Sequence, residues 1–429
     1  MENVKKKFQN PVAVVFFTIF LDLIGVGLLI PIIPQIVANP ASNFYLLPNG
    51  FSISDGYILL GFLTAIYPIM QFIATPILGQ LSDRYGRKPL LTISLFGTAI
   101  SYVLFAIGII TRNIPLLFIS RAFDGITGGN IAVAQAALAD ITTPENRTKT
   151  FGLIGAAFGL GFVLGPYIGG KLSDPTILSW FDATTPFWFA AILSLLNVIS
   201  VLFIFPETNK HMDKLKQIDW GKSLSNITRA FFSLKGVRTI FATNFLFFSG
   251  FTFFTTFASV FFISKFHWNQ GNVGDYFAYV GIWMAIAQAV VTRQIAKYLN
   301  ESQILKFSLF GTAIGIAMIF LASEAWMLFF ITPIFAIFVG LTFANTTGLV
   351  SRSVEARIQG EILGINASVQ ALAQSIPPIL SGYIAASLAP ESPLIVGSIV
   401  IALGGLFFFL MFKPPKGIQS IDDTSVMAH

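Results

Sequence analysis

The sequence predicts an all-α membrane protein: twelve transmembrane helices arranged as two pseudo-symmetric six-helix halves. Three observations carry that expectation. Hydrophobic residues make up 55% of the 429 and charged ones 11%, with a mean hydropathy of +0.76, whereas a soluble domain carries about 25% charged residues. The apolar residues gather into twelve runs, each near the roughly 20 residues that cross a bilayer as a helix. The one long polar segment, residues 206–237, falls between the sixth run and the seventh.

The runs cover about 12–36, 56–78, 90–110, 114–138, 149–170, 186–205, 239–264, 274–293, 304–322, 326–349, 361–387 and 392–412. They divide the chain into an N-terminal bundle (1–205), a basic linker (206–237) and a C-terminal bundle (238–429). A weak internal repeat supports the duplication. Gly152 precedes Pro166 and Gly170 by 14 and 18 residues in span 5, and Gly364 precedes Pro378 and Gly382 by the same 14 and 18 in span 11. Asp55 stands six residues before Gly61 in span 2, as Asp275 does before Gly281 in span 8. Such repeats accompany transporters whose substrate site lies between the halves. Within the linker, Trp220, Leu224, Ile227 and Phe231 recur at helical spacing beside Lys222 and Arg229, which predicts a short amphipathic helix on the cytoplasmic leaflet.

A net charge of +6 and a pI near 9.4 do not indicate a nucleic-acid partner, because the cations follow membrane topology. With the N-terminus inside, only Arg112, Lys171 and Lys265 fall in outer loops and Arg121 within a span; the rest of the 26 Lys and Arg lie in cytoplasmic segments, as the positive-inside rule requires. Both termini are then cytoplasmic. The first apolar run is too long for a signal h-region, contains Asp22 and ends in Pro31 and Pro34 without a small-residue cleavage site. With these features and short termini, the chain suits a bacterial plasma membrane, with the lipid bilayer as its surroundings and a monomer as the expected state. The absence of cysteine excludes disulfides, thiolate metal sites and cysteine nucleophiles, and His211, His267 and His429 all lie in loops or the tail. No metal centre, cofactor or Ser-His-Asp set can be assembled inside the membrane, so an enzyme is the least favoured class.

Three charges lie deep in spans: Asp22 in span 1 and Arg121 with Asp124 in span 4. Each costs roughly 2.5–3.5 kcal/mol on insertion scales. Arg121 and Asp124, three residues apart, share a helical face. At a rise of about 1.5 Å per residue, Asp22 and Asp124 reach similar depths, roughly 15 Å in, with Arg121 one turn nearer the outside. The three can therefore meet. Two carboxyls and one guanidinium leave one acid without a cation, and such an acid can shed its charge by binding a proton. Asp22 is the candidate proton carrier, with Arg121 and Asp124 setting its affinity; the alternative is a structural cluster that fixes helix register.

Two further motifs stand out. Residues 79–89, GQLSDRYGRKP, place Gly79, Asp83, Arg84, Gly86, Arg87 and Lys88 in a short polar turn between spans 2 and 3. Span 5 carries Gly161, Gly165 and Gly169 at four-residue intervals with Pro166 and Gly170 beside them, a spacing that lets helix backbones approach closely, while Pro166 removes a helical hydrogen bond. Candidate cavity residues are the uncharged polar side chains within spans: Gln71, Gln135, Asn244, Gln288, Asn345, Asn366, Gln370 and Gln374, with the aromatic run from Phe247 to Phe262. This mixture suits a small amphipathic solute.

The 79–89 segment resembles the loop between helices 2 and 3 of the major facilitator superfamily. With FLDLIGVGLLIPIIP (20–34), RAFDGITGG (121–129), ALADITTPENRTKTFG (137–152) and GLGFVLGPYIGG (159–170), the chain is similar to the twelve-helix drug:proton antiporters, above all the tetracycline efflux group. The resemblance implies the major facilitator fold, alternating access and export of small amphipathic molecules against protons. It matches Asp22 and Arg121 to that group's intramembrane acid and arginine, the 79–89 charges to its cytoplasmic gate, and the span-5 glycines and proline to its antiporter motif. That group also carries an acid in span 3 and a histidine in span 8, where this chain has Ile100-Ser101-Tyr102 and Trp283-Met284-Ala285, which argues against tetracycline chelated to a divalent metal. Competing expectations on the same fold are proton-coupled uptake, siderophore or metabolite transport, and a non-transporting sensor.

Overall fold

The computed structural model describes residues 11–142, 147–210, 212, 217–234, 237–353 and 359–413, and every regular element among them is helical. The first half comprises α1 (Pro11–Val37), α2 (Ile53–Tyr85), α3 (Arg87–Ile110), α4 (Ile114–Thr127), α5 (Asn130–Ile141), α6 (Arg147–Leu172) and α7 (Thr185–Phe203). The linker carries α8 (Lys222–Thr228) and a π-helical turn, Arg229–Ser233. The second half comprises α9 (Arg238–Phe266), α10 (Gln270–Ile286), a π-helical turn Ala287–Val291, α11 (Thr292–Ile295), α12 (Glu301–Leu321), α13 (Met327–Arg352), α14 (Gln359–Ser387) and α15 (Ser392–Met411). Among the described residues nine helices are long and apolar enough to cross a membrane, α10 and α11 together forming one of them. Of the other three expected spans, 149–170 and 361–387 correspond to α6 and α14, and 114–138 is broken into α4 and α5 at Gly128–Gly129.

Helix starts follow local chemistry. Ser52 with Asp55, Asn269 with Asn272 and Asn300 with Gln303 each form a reciprocal capping box, satisfying otherwise orphaned amides. The expected polar turn at 79–89 is smaller than predicted: α2 runs on to Tyr85 and α3 starts at Arg87, leaving Gly86 at φ +102° as the hinge residue. Polar residues do not end a helix that leaves the apolar slab; a positive φ does, and glycine adopts it without penalty.

Glycines set the helix packing. On α6, a Cβ at Gly161 would lie 2.5 Å from Leu23 Cβ, at Gly165 2.7 Å from Gly27 Cα and at Gly169 2.6 Å from Leu28 O, so this face lies against α1. The adjoining face lies against the other half: a Cβ at Gly170 would come 2.5 Å from Gln270 O, and at Gly274 2.7 Å from Pro166 O. The second half repeats the arrangement. Gly382 of α14 meets Tyr57 O of α2, and Gly61 meets Pro378 O. The span 5 and span 11 repeat is thus matched in contacts, whereas the span 2 and span 8 spacing is not. Gly274, not Gly281, is the contact counterpart of Gly61; Gly281 packs on Val163.

Prolines create a second kind of junction. Pro34 and Pro76 lack the amide that would bond Ile30 O and Phe72 O. Ser259 Oγ of α9 donates to Ile30 O at 3.0 Å, and Ser223 Oγ of the linker donates to Phe72 O at 2.8 Å. Asn226 extends the linker contact by donating to Ser368 Oγ of α14 at 3.0 Å. The expected amphipathic face is therefore divided. Ile227 and Phe231 pack toward the core, while Trp220 and Leu224 remain exposed. The helix turns Ser223 and Asn226 inward because they bond groups on both halves.

Calling the end that carries the linker the linker end, cross-half contacts gather at the far end: Lys171 Nζ to Asp275 Oδ2 at 2.9 Å, Gln270 Nε2 to Ser173 O at 3.1 Å and Ser54 Oγ to Ala386 O at 3.4 Å. At the linker end a Cβ on Gly79 or Gly364 would meet nothing within 4 Å. The halves are closed at the far end, and at the other the linker joins them, from Ser223 to α2 and from Asn226 to α14. The contrast in glycine surroundings predicts that Gly165→Val destabilises the protein by about 1–3 kcal/mol through overpacking while Gly79→Ala stays within about 0.5 kcal/mol, as read by unfolding in detergent.

Candidate functional site

Asp22, Arg121 and Asp124 are all buried, at 6%, 4% and 3% exposure. Their pairing differs from the three-way meeting expected around the guanidinium. Arg121 Nη1 donates to Asp124 Oδ2, one helical turn along α4, and the guanidinium lies 4.5 Å from the Tyr67 ring centroid. Asp22 has no ion pair among the described residues. It lies beside the Asn130 side chain and within range of the Asp124 charge, and its Oδ2 accepts no hydrogen bond. One cation is thus committed to one of two acids.

The broken helix brings Asn130 to this place. Gly125, Gly128 and Gly129 admit α2 closely: a Cβ at Gly128 would lie 2.6 Å from Tyr67 Oη, and at Gly129 3.0 Å from the Thr75 backbone. Gln71 Nε2 donates both to Gly128 O at 3.1 Å and to Tyr67 Oη at 3.2 Å, holding a carbonyl that the break exposes. Asn130 then begins α5, fully buried. Around the cluster, Thr98 Oγ1 lies 3.1 Å from Thr127 Oγ1 and Ser120 Oγ donates to Ser101 O at 2.7 Å. Tyr102 is buried with its hydroxyl against Gly25, where any Cβ would overlap it. Tyr102 thus occupies the span-3 region in which the resembled group carries an acid. Asn130 and Tyr67 were not singled out from sequence, and Tyr102 only as part of the span-3 departure; an asparagine directly after two glycines inside an apolar run was the available signal for the first.

The cavity candidates separate. Asn244 is fully buried and donates to Asn366 Oδ1 at 2.9 Å, and Asn345 is buried and donates to Leu341 O of its own helix at 2.7 Å. Asn345 thus bonds within its own helix, whereas Asn244 keeps a buried Oδ1 with no hydrogen-bond partner among the described residues. Gln71 belongs to the Tyr67 network. Gln135, Gln288 and Gln370 are partly exposed and Gln374 is exposed; Gln288, in the π-helical turn, faces Gly159 of the other half. The aromatic run is core: Phe247, Phe254, Phe257, Phe261 and Phe262 are fully buried, and Phe162 of α6 packs on Phe251 and Phe277 at centroid distances of 5.9 and 6.1 Å.

The 79–89 charges form a network that joins the first half to the start of the linker. Arg87 pairs with Asp83 at 2.8 Å and with Asp140 of α5 at 3.1 Å, and also donates to Ser82. Glu207, after α7, accepts from the Arg87 and Lys88 amides at 2.9 and 3.1 Å, placing a carboxylate at the positive end of α3. Arg84 lies over the Tyr85 ring at 5.2 Å. Asp140 and Glu207 are the partners that sequence reading missed.

The Major Facilitator Superfamily model matches residues 15–378. Relatives include the class C tetracycline resistance protein of Escherichia coli, 31% identical with 89% of this chain and 91% of that one covered, and the class H protein of Pasteurella multocida, 32% identical with 88% and 89% covered. The quinolone resistance protein NorA of Staphylococcus aureus is 27% identical, with 94% and 97% covered. Among solved structures, the D-xylose-proton symporter superposes with a TM-score of 0.77 at 16% identity, covering 95% of this chain and 98% of that one. The human organic anion transporter MFSD10 (TETRAN) gives 0.71 at 22% identity, covering 93% and 98%.

The geometry of the buried pair predicts strong coupling. Arg121→Ala alone strands the Asp124 charge and should cost about 3–5 kcal/mol. Arg121→Ala with Asp124→Ala should cost less than the two single changes summed, as read by a double-mutant cycle on unfolding free energy in detergent.

Proposed function

The chain belongs to the Major Facilitator Superfamily, and from that premise we propose that it exports small amphipathic molecules in exchange for protons, with Asp22 as the proton carrier. The observation that supports this most is the committed guanidinium: Arg121 bonds Asp124, and Asp22 is buried without a cation. In this reading Asp22 takes a proton from the outer side, crosses neutral as the halves rock, and releases it inside. One charge moving through the membrane potential supplies about 2.3 kcal/mol per 100 mV.

The linker end and both termini are cytoplasmic in this reading, following the placement of Lys and Arg. The conformation with its far end closed is then inward-facing. The Arg87 network, which here joins the first half to the start of the linker, acts as the cytoplasmic gate when the halves close on that side. Asn130 positions the Asp22 carboxyl, and the partly exposed Gln135, Gln288 and Gln370 contact solute. The protein works as a monomer in a bacterial inner membrane. The relatives' names point to planar aromatic antibiotics as the substrate class, quinolones before metal-chelated tetracycline because Tyr102 stands where the resembled group has an acid.

Inverted vesicles carrying the protein should accumulate a fluorescent quinolone when acidified inside, and Asp22→Asn should abolish that accumulation while leaving binding measurable. Accumulation that survives in Asp22→Asn removes Asp22 from the cycle, and release in place of uptake reverses the direction.

A further inference from the structure

We propose that the far end of the second half carries a binding site for small amphipathic cations, separate from the central cluster, and that a cation bound there competes with Lys171 for Asp275. The site is a cleft of about 310 Å³ between the first turns of α10 and the start of α13, at the small end of the range for ligand pockets. Its walls are aromatic: Trp268 and Tyr276, with ring centroids 5.8 Å apart, and Tyr279 and Phe329, also 5.8 Å apart. Asp275 and Asn272 are its polar lining residues. Ring faces attract cations and a carboxylate adds a full charge, so the combination selects a cation with an apolar body over an anion or a neutral solute.

The walls are set before any ligand arrives. Tyr276 is buried and packs on Phe262 at 4.4 Å between centroids, and the Tyr279 hydroxyl donates to Phe329 O at 3.0 Å. A protein cation already uses the carboxylate: Lys171 Nζ lies 2.9 Å from Asp275 Oδ2 and 5.7 Å from the Tyr167 ring. The pair is partly solvent-exposed, 32% for Lys171 and 50% for Asp275. Exchange is therefore inexpensive, because such pairs contribute little against water. Lys171 belongs to α6 and Asp275 to α10, so a bound cation would also release a contact between the halves. An ammonium lipid headgroup and a soluble amphipathic cation share this chemistry.

Equilibrium dialysis of the purified full chain in detergent with phenyltrimethylammonium tests the site. Asp275→Asn and Tyr279→Leu should each weaken binding about tenfold, Asp275→Glu should retain it, and Lys171→Met should tighten it about threefold. The neutral isostere tert-butylbenzene should not compete. Asp22→Asn should leave binding unchanged, so failure here and failure of the transport cycle are distinguishable. Unaltered binding in Asp275→Asn, or loss in Asp22→Asn, overturns the proposal. In nanodiscs, weaker probe binding when phosphatidylethanolamine is added to phosphatidylglycerol assigns the site to a lipid headgroup, and equal binding assigns it to soluble cations.

Discussion

Carrying charge through hydrocarbon constrains this molecule more than any other requirement. Asp22, Arg121 and Asp124 lie buried deep within the spans, and burying an ion without a partner is far more costly than burying a pair. The structure resolves the imbalance by local geometry: Arg121 and Asp124 lie one turn apart on the same helix, whereas Asp22 comes from another helix and lies beside the Asn130 side chain, whose polar atoms have no hydrogen-bond partner among the described residues. A pair formed within α4 persists while α1 and α4 shift, so the uncompensated acid stays at Asp22. The Tyr67 ring over the guanidinium shields the pair on a further side and favours its burial.

The seams between the halves follow a second constraint, that surfaces which move must approach closely without interlocking. Gly170, Gly274, Gly61 and Gly382 bring backbone against backbone at two symmetry-related seams. Small residues leave few side chains to disentangle as one half rocks on the other. The first face of α6, built from Gly161, Gly165 and Gly169, lies against α1 of its own half instead. One glycine-rich helix thus serves both a fixed contact and a movable one, its two faces a residue apart.

Much of this was legible in the sequence because the signals are local. Apolar runs, the positive-inside pattern and buried charges each report on their own segment, so the membrane class, the span order and the three interior charges followed directly. The span 5 and span 11 spacing was legible for the same reason, and it reappears as matched contacts. The misreadings have a common physical cause. Arg87's partners Asp140 and Glu207 lie 53 and 120 residues away, beyond any local pattern. The divided linker face depends on a carbonyl of α2 and a serine of α14. Asn244 and Asn345 have the composition of cavity residues, and only tertiary placement shows that their side-chain amides donate to Asn366 and Leu341. The break at Gly128–Gly129 looks in sequence like ordinary close packing, although it is what delivers Asn130.

The two proline-freed carbonyls have a mechanical consequence. Ile30 O and Phe72 O each take a serine hydroxyl from beyond their own bundle, one at either extremity of the transport axis. A carbonyl already outside the helical ladder can accept a hydroxyl from another segment with no backbone turn unwound. Each kink therefore acts as an anchor: one ties α1 to the second half through Ser259, the other ties α2 to the linker through Ser223, and the lipid-spanning rods stay intact.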